Sequence, residues 1–170
     1  MDLKELVRSI PDFPKEGILF RDITPLIGDA DGFEALIEKM ADTLKDLDID
    51  VVVGPEARGF IFGAALAHAL HAGFVPARKP GKLPYETITY EYALEYGTDR
   101  LEIHKDAIRP GQRVAIVDDL LATGGTALAC AKLAEMAGGT VVGCTFAIEL
   151  TDLPGRGALQ AYPVHTILQY

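Results

Sequence analysis

The sequence predicts an α/β domain with a central, largely parallel sheet flanked by helices and a projecting hairpin. Three observations carry that reading. Val51-Val-Val53, Val114-Ala-Ile-Val117 and Thr140-Val-Val-Gly-Cys-Thr-Phe-Ala-Ile148 are apolar at nearly every position, as interior strands of a parallel sheet are. Segments with helical spacing lie between them, the rhythm of βα crossovers. At two of these crossovers a strand runs directly into a polar, glycine-containing turn, where such sheets place their ligands.

One domain suffices for 170 residues, a length that buries roughly 70% of its extended-chain surface. Acidic residues number 25 against 16 basic, a formal net charge of −9. Such a field does not suit a nucleic-acid backbone or an anionic membrane surface, so neither is an expected partner. Cys130 and Cys144 make neither a disulfide framework nor a metal cluster, and free buried thiols fit a reducing compartment. Charges in Met1-Asp-Leu-Lys-Glu-Leu6 interrupt any signal-peptide core, and no apolar run reaches spanning length. The expectation is a cytoplasmic protein.

Along the chain, Leu3, Leu6, Val7 and Ile10 predict a helix over residues 2–10 that stops at Pro11. Prolines and Gly17 exclude one regular helix over 11–25, and this arm sets apolar side chains beside Arg21 and Asp22. It reads either as a buried hydrophobic arm with a solvated charge pair or as a contact for a base. Asp31-Gly-Phe-Glu34 has capping spacing ahead of an apolar stripe from Phe33 to Leu47. The strand at 51–53 leads through Gly54-Pro-Glu-Ala-Arg-Gly59 into a helix ending near His71. Arg58 there could meet an anion or simply form a salt bridge.

Phe74-Val-Pro-Ala-Arg78 is a further strand, weakened by Pro76. Arg78, Lys79 and Lys82 follow, a local reversal of charge that suits either an anion-facing loop or a solubilising turn. Alternation through Ile88, Tyr90, Tyr92 and Leu94, a Gly/Thr/Asp turn, then Leu101 and Ile103 predict a hairpin over residues 86–104. It could serve as a flap, a dimer contact or a plain surface feature. Lys105–Gly111 reads as a short helical turn, residues 153–157 as a loop and Val164–Leu168 as the last strand. None of the four histidines has metal-site spacing, and there is no G-x-S-x-G nucleophile elbow.

The organising stretch is Val114-Ala-Ile-Val-Asp-Asp-Leu-Leu-Ala-Thr-Gly-Gly-Thr126: an apolar strand, an acidic pair, a small-residue loop and a helix start. Paired glycines let backbone N–H groups approach an anion, and the helix start adds favourable partial charge. Asp118 and Asp119 repel phosphate but accept hydrogen bonds from sugar hydroxyls, or bind a metal. A sugar phosphate satisfies both halves. The lysine of a P-loop and the G-x-G-x-x-G dinucleotide pattern are both absent. These residues alone leave transfer, isomerisation, hydrolysis and regulation open.

This stretch resembles the phosphoribosyl-pyrophosphate signature of the type I phosphoribosyltransferases, and V-D-D-L-L-A-T-G-G-T is similar to the form found in their adenine-specific branch. The resemblance extends to F-P-K-E-G-I-L-F-R-D-I-T-P-L near the start, G-P-E-A-R-G-F at 54–60, R-K-P-G-K-L-P at 78–84, L-E-Y-G-T-D-R-L-E-I-H-K-D-A at 94–107, and the late F-A-I-E-L and I-L-Q-Y. It implies one phosphoribosyltransferase domain over 1–170, with a purine-side arm and hood at 1–30 and a flexible hairpin at 84–104. It implies transfer of the phosphoribosyl group to N9 of adenine, with Mg²⁺ carried by substrate and water, in a homodimer.

By the same resemblance, Asp118 and Asp119 would hold the ribose hydroxyls, and Ala122, Thr123, Gly124, Gly125 and Thr126 the 5′-phosphate. Arg58, Arg78, Lys79 and Lys82 would face the pyrophosphate, Phe20 and Arg21 the purine. Glu95 would assist proton transfer while Tyr96 positions its loop. A strained, sometimes cis, peptide is expected between Glu56 and Ala57. The rivals are another purine phosphoribosyltransferase and a regulator that binds phosphoribosyl pyrophosphate without turnover.

Overall fold

A computed structural model describes residues 1–93 and 96–170. Its first element corrects the sequence reading. Instead of a helix over 2–10, a 3-10 turn spans Leu3–Leu6, and strand β1 (Arg8–Pro11) pairs antiparallel with β2 (Leu19–Asp22). Pro11 explains the change, because the residue before a proline avoids the helical region and extended backbone follows. Leu3 and Val7 are nonetheless buried, so the apolar spacing found the inward residues but not their backbone.

A short helix that the sequence did not announce, α1 (Thr24–Gly28), starts with a proline in its first turn, where a missing N–H costs nothing. Helix α2 (Ala30–Asp42) is capped by Asp29, whose carboxylate accepts from the Gly32 amide at 2.7 Å, rather than by the expected Asp31. Then come β3 (Val51–Pro55), α3 (Arg58–Ala69), β4 (Gly73–Ala77) and the hairpin β5 (Thr87–Ala93) with β6 (Thr98–His104). Residues 105–111 form hydrogen-bonded turns rather than a helical element. The chain ends with β7 (Arg113–Leu121), α4 (Gly125–Met136), β8 (Thr140–Glu149), a four-residue α5 (Gly155–Ala158) that begins within the expected loop and runs past it, and β9 (Val164–Gln169).

The central sheet is parallel throughout, in the order β4-β3-β7-β8-β9. Alternation along each strand assigns its two faces. Val52, Ala115 and Val117 join α2 and α3 through Leu36, Met40, Phe62 and Leu66, whereas Val51, Val53, Val114 and Ile116 join α4 and the hairpin through Leu133, Leu101 and Ile103. Pro76 sits on the edge strand β4, where a lost donor is tolerated. The organising strand runs further than its apolar residues suggest: β7 stays paired with β8 up to Leu121 and carries both aspartates within it.

Candidate active site

At the carboxyl edge of the sheet, the ends of β3, β4, β7 and β8 converge, with the β1–β2 hairpin on one side and the β5–β6 hairpin on the other. The turn after β3 contains a cis peptide between Glu56 and Ala57 and delivers Arg58 as the first residue of α3. Arg58 Nε donates to Asp119 Oδ2 at 2.5 Å. Its guanidinium also lies 5.8 Å from the centre of the Phe20 ring, within reach of a cation–π attraction. Strand β7, the turn after β3 and the N-terminal arm therefore meet at one cationic side chain.

The two aspartates differ. Asp119 is largely buried and paired, and its own amide donates to Asp118 Oδ1 at 2.8 Å. Asp118 is densely enclosed although part of its surface reaches solvent, and that burial, with the neighbouring Asp119 charge, pushes its carboxyl well above the ordinary range. Arg58 opposes the shift without cancelling it. A ligand hydroxyl or a cation arriving here would relieve the repulsion between the two acids.

Three adjoining cavities run along this edge. The middle one, about 190 Å³, is bounded by Arg58, Asp118, Asp119 and the loop through Ala127. Gly124, the N-cap of α4, has φ of +86°, a left-handed conformation that favours glycine, and it leads into the first turn of α4, whose residues Gly125, Thr126 and Ala127 line the cavity. A second cavity, about 430 Å³, shares Thr123, Gly125 and Thr126 with the first and adds Glu56, Lys79, Tyr92 and Asp99. The third, about 130 Å³, shares Arg58, Asp119 and Leu120 and is closed by Ile18, Leu19, Phe20, Arg21, Ile148 and Leu150. It is predominantly apolar, unlike the middle one.

In the second cavity, cations and carboxylates pair within the chain. Lys79 Nζ contacts Asp99 on β6, and Tyr92 Oη donates to the same carboxylate at 3.3 Å. The Lys79 hydrogen bond, ahead of smaller contributions, holds the Asp99 carboxyl below its ordinary range. Glu56 Oε1 accepts from the Lys79 amide at 2.8 Å and from Arg78 Nε at 3.2 Å.

Phe20, Arg21, Arg58, Lys79, Asp118, Asp119 and Ala122 through Thr126 thus line one continuous edge. Arg78 lines none of the three cavities; it pairs with Glu56 and lies over the Phe60 ring. Lys82 also stays outside them, and Tyr96 is 88% exposed. Glu95 lies outside the described residues.

Sequence reasoning passed over Glu56, Tyr92 and Asp99 as site residues, because each reaches the cavity from a different element. The alternation through Tyr90 and Tyr92 was a usable signal, but it does not say which face turns inward. Two other cavities, about 380 Å³ between the 3-10 turn and β9 and about 480 Å³ between α2 and α3, share no lining residue with these three.

A profile of the phosphoribosyl transferase domain matches residues 27–164. An adenine phosphoribosyltransferase of Clostridium perfringens is 62% identical over 170 residues, covering 100% of this chain and 99% of the relative. One from Pseudothermotoga lettingae is 57% identical over the whole of both chains. Among solved structures, an adenine phosphoribosyltransferase of Thermoanaerobacter pseudethanolicus superposes with a TM-score of 0.96 at 57% identity, covering 99% of this chain and 98% of the other. The Saccharomyces cerevisiae enzyme, solved with an imino-altritol bisphosphate and adenine, gives a TM-score of 0.92 at 44% identity over 97% and 96% of the two chains.

Proposed function

The chain belongs to the phosphoribosyltransferases, and from that premise we propose that it transfers the 5-phosphoribosyl group of phosphoribosyl pyrophosphate to N9 of adenine, yielding AMP and pyrophosphate for purine salvage. One observation carries the assignment: the apolar cavity at Phe20, the acid-and-amide cavity at Asp118–Ala127 and the Lys79 cavity adjoin in the order of base, ribose 5-phosphate and diphosphate.

In this reading the 5′-phosphate sits on the amides of the Ala122–Thr126 loop at the start of α4, while Asp118 and Asp119 accept from the ribose 2′ and 3′ hydroxyls. Adenine lies against Phe20 and Arg21. Among the described residues strand β2 pairs on one edge only, which leaves the backbone groups of its other edge to read the purine edge. A base with the wrong donor–acceptor pattern leaves those groups unpaired, which is a strong basis for rejection.

The C1′–O bond to the diphosphate breaks, N9–C1′ forms, and the purine loses its N9 proton. Lys79 and Arg58 stabilise charge that develops on the leaving group, with Arg78 and Lys82 assigned as helpers. Such electrostatic complementarity is commonly the largest single catalytic contribution. Glu95 is assigned to the proton and Tyr96 to the placement of its loop, both from the L-E-Y-G motif.

Magnesium belongs to this proposal. It would be held by substrate oxygens and water rather than by a protein cage, since among the described residues no three His, Cys, Asp or Glu side chains stand together as ligands, and Glu56 and Asp99 are already engaged by Arg78 and Lys79. When bound, it offsets diphosphate charge.

The homodimer belongs to it as well. Lys82 stays outside the cavities of its own chain, so its contact with the diphosphate requires loop closure or a second copy. Sedimentation equilibrium tests the dimer. A cytoplasmic location fits the free, buried Cys130 and Cys144; no helix among the described residues is long and apolar enough to cross a membrane.

The test is to incubate the protein with phosphoribosyl pyrophosphate, Mg²⁺ and each purine separately, then measure nucleotide and pyrophosphate. AMP from adenine, with little product from guanine or hypoxanthine, is the expected result. Preferential use of an oxopurine would overturn the base assignment, and binding without turnover would select a regulator.

A further inference from the structure

Behind the Ala122–Thr126 loop, on the side away from the middle cavity, lies α5. The fit is close enough to leave no room for a methyl group. A Cβ on Gly124 would stand 2.8 Å from both the Gly155 carbonyl oxygen and the Ala158 Cβ. One on Gly155 would stand 2.6 Å from the Ala122 carbonyl oxygen and 2.7 Å from Leu121 Cγ. The loop and α5 therefore share one surface, and neither can shift toward the other.

A helix of four residues cannot hold itself in place. The position of α5 comes from Arg156, whose guanidinium donates to both carboxylate oxygens of Glu149, Nε to Oε1 at 2.8 Å and Nη2 to Oε2 at 3.0 Å. The same group donates to the Val164 carbonyl at 3.1 Å and the Thr166 hydroxyl at 3.2 Å. Glu149 is 5% exposed and also accepts from Thr166 Oγ1 at 2.8 Å and Gln169 Nε2 at 3.2 Å. Glu149 ends β8 and pairs in register with Leu121 and Gln169, so the clamp fixes α5 to three strands of the central sheet. A planar, bidentate arginine–carboxylate pair fixes orientation as well as distance.

Neither Glu149 nor Arg156 lines any of the three cavities. We propose that Arg156 and Glu149 are positioning residues for the transfer reaction: through the interlocked Gly155 and Gly124 they set where the loop amides meet the 5′-phosphate. This rests on the transferase reading. It gives this half-exposed ion pair a role beyond stability, since a loop misplaced by about 1 Å costs up to about a hundredfold when groups must meet in a fixed geometry.

The experiment is calorimetric binding of AMP and of adenosine to wild type, Arg156→Ala and Arg156→Lys, with thermal unfolding recorded on each. The ratio of the two affinities isolates the 5′-phosphate contact. In Arg156→Ala that ratio is expected to fall by about tenfold or more, and Arg156→Lys, which keeps the charge but loses the fork, should recover part of it. A ratio within about twofold of wild type in a folded Arg156→Ala protein overturns the proposal, whatever happens to its melting temperature, because a purely structural clamp would weaken both ligands alike or neither. If Arg156→Ala does not fold, Glu149→Gln, which keeps the shape of the clamp and removes its charge, carries the same test with the same two readings. Wild-type protein that binds AMP no better than adenosine contradicts the transferase reading itself, whereas a wild-type phosphate preference that the variants keep contradicts only the positioning.

Discussion

The Ala122–Thr126 loop and the basic segment beginning at Arg78 offer an anion two different kinds of hold. The first is contiguous backbone: small residues on a helix start, tied to a strand paired on both sides in the sheet and backed by α5 without a methyl's clearance. The second consists of long, partly exposed side chains that already have carboxylate partners, Lys79 with Asp99 and Arg78 with Glu56. Amides fixed in place need no rearrangement to receive a charge; Lys79 must give up Asp99 before it can serve a diphosphate fully. The difference suits the reaction, since the 5′-phosphate stays attached to the transferred group and the diphosphate must leave.

The most severe way to break the comparison is at its shared wall. Asp119→Asn removes the charge that pairs with Arg58 and turns one of the two accepting oxygens into a donor, and kcat/KM for phosphoribosyl pyrophosphate is expected to fall about a hundredfold to a thousandfold. Turnover comparable to wild type would remove Asp119 from the site. Lys79→Ala should cost less, about tenfold to a hundredfold in the same quantity. Its AMP affinity should be nearly unchanged, because AMP carries no diphosphate; equal losses for both ligands would contradict the division of the cleft.

Asp99→Asn sharpens the contrast by working in the opposite direction. An exposed ion pair contributes about 0.2–1 kcal/mol. Releasing Lys79 from it should therefore lower KM for phosphoribosyl pyrophosphate by up to about fivefold. A raised KM would show that Asp99 assists the substrate instead of competing with it.

The smallest effect concerns pH. Hydrogen bonds from Arg156, ahead of the other contributions, hold the Glu149 carboxyl below its ordinary 4.5. A depressed folded-state value means the stabilisation is complete above that ordinary value and is lost as pH falls below it through the folded-state value. Thermal unfolding of wild type should therefore weaken over that acid window. Glu149→Gln should start less stable and show a shallower dependence there; parallel curves would remove Glu149 as a source of the acid sensitivity.

The same contrast explains what the sequence could say. The β7–α4 stretch was legible because strand, acids, loop and helix start lie within thirteen consecutive residues, so spacing alone put them in functional order. Asp99 and Glu56 were not, because their meeting with Lys79 depends on how a separate hairpin settles over the sheet, which local pattern does not encode. At the N-terminus, Leu3 and Val7 were correctly read as inward residues. Their helix was not, since the spacing fits a 3-10 turn leading into a strand equally well and Pro11 decides between them. Asp29 displaced Asp31 as the cap of α2 because two acids two residues apart carry the same signal. The Glu149–Arg156 clamp left no local trace, although its effect falls on the most readable loop in the chain.

A crystal structure with AMP and pyrophosphate bound tests the account most directly. It should place the phosphate of AMP on the Ala122–Thr126 amides, the ribose hydroxyls within hydrogen-bonding distance of Asp118 and Asp119, the adenine against Phe20, and pyrophosphate beside Lys79. AMP in the reverse orientation, or seated in the groove between α2 and α3 with this edge untouched, would contradict it.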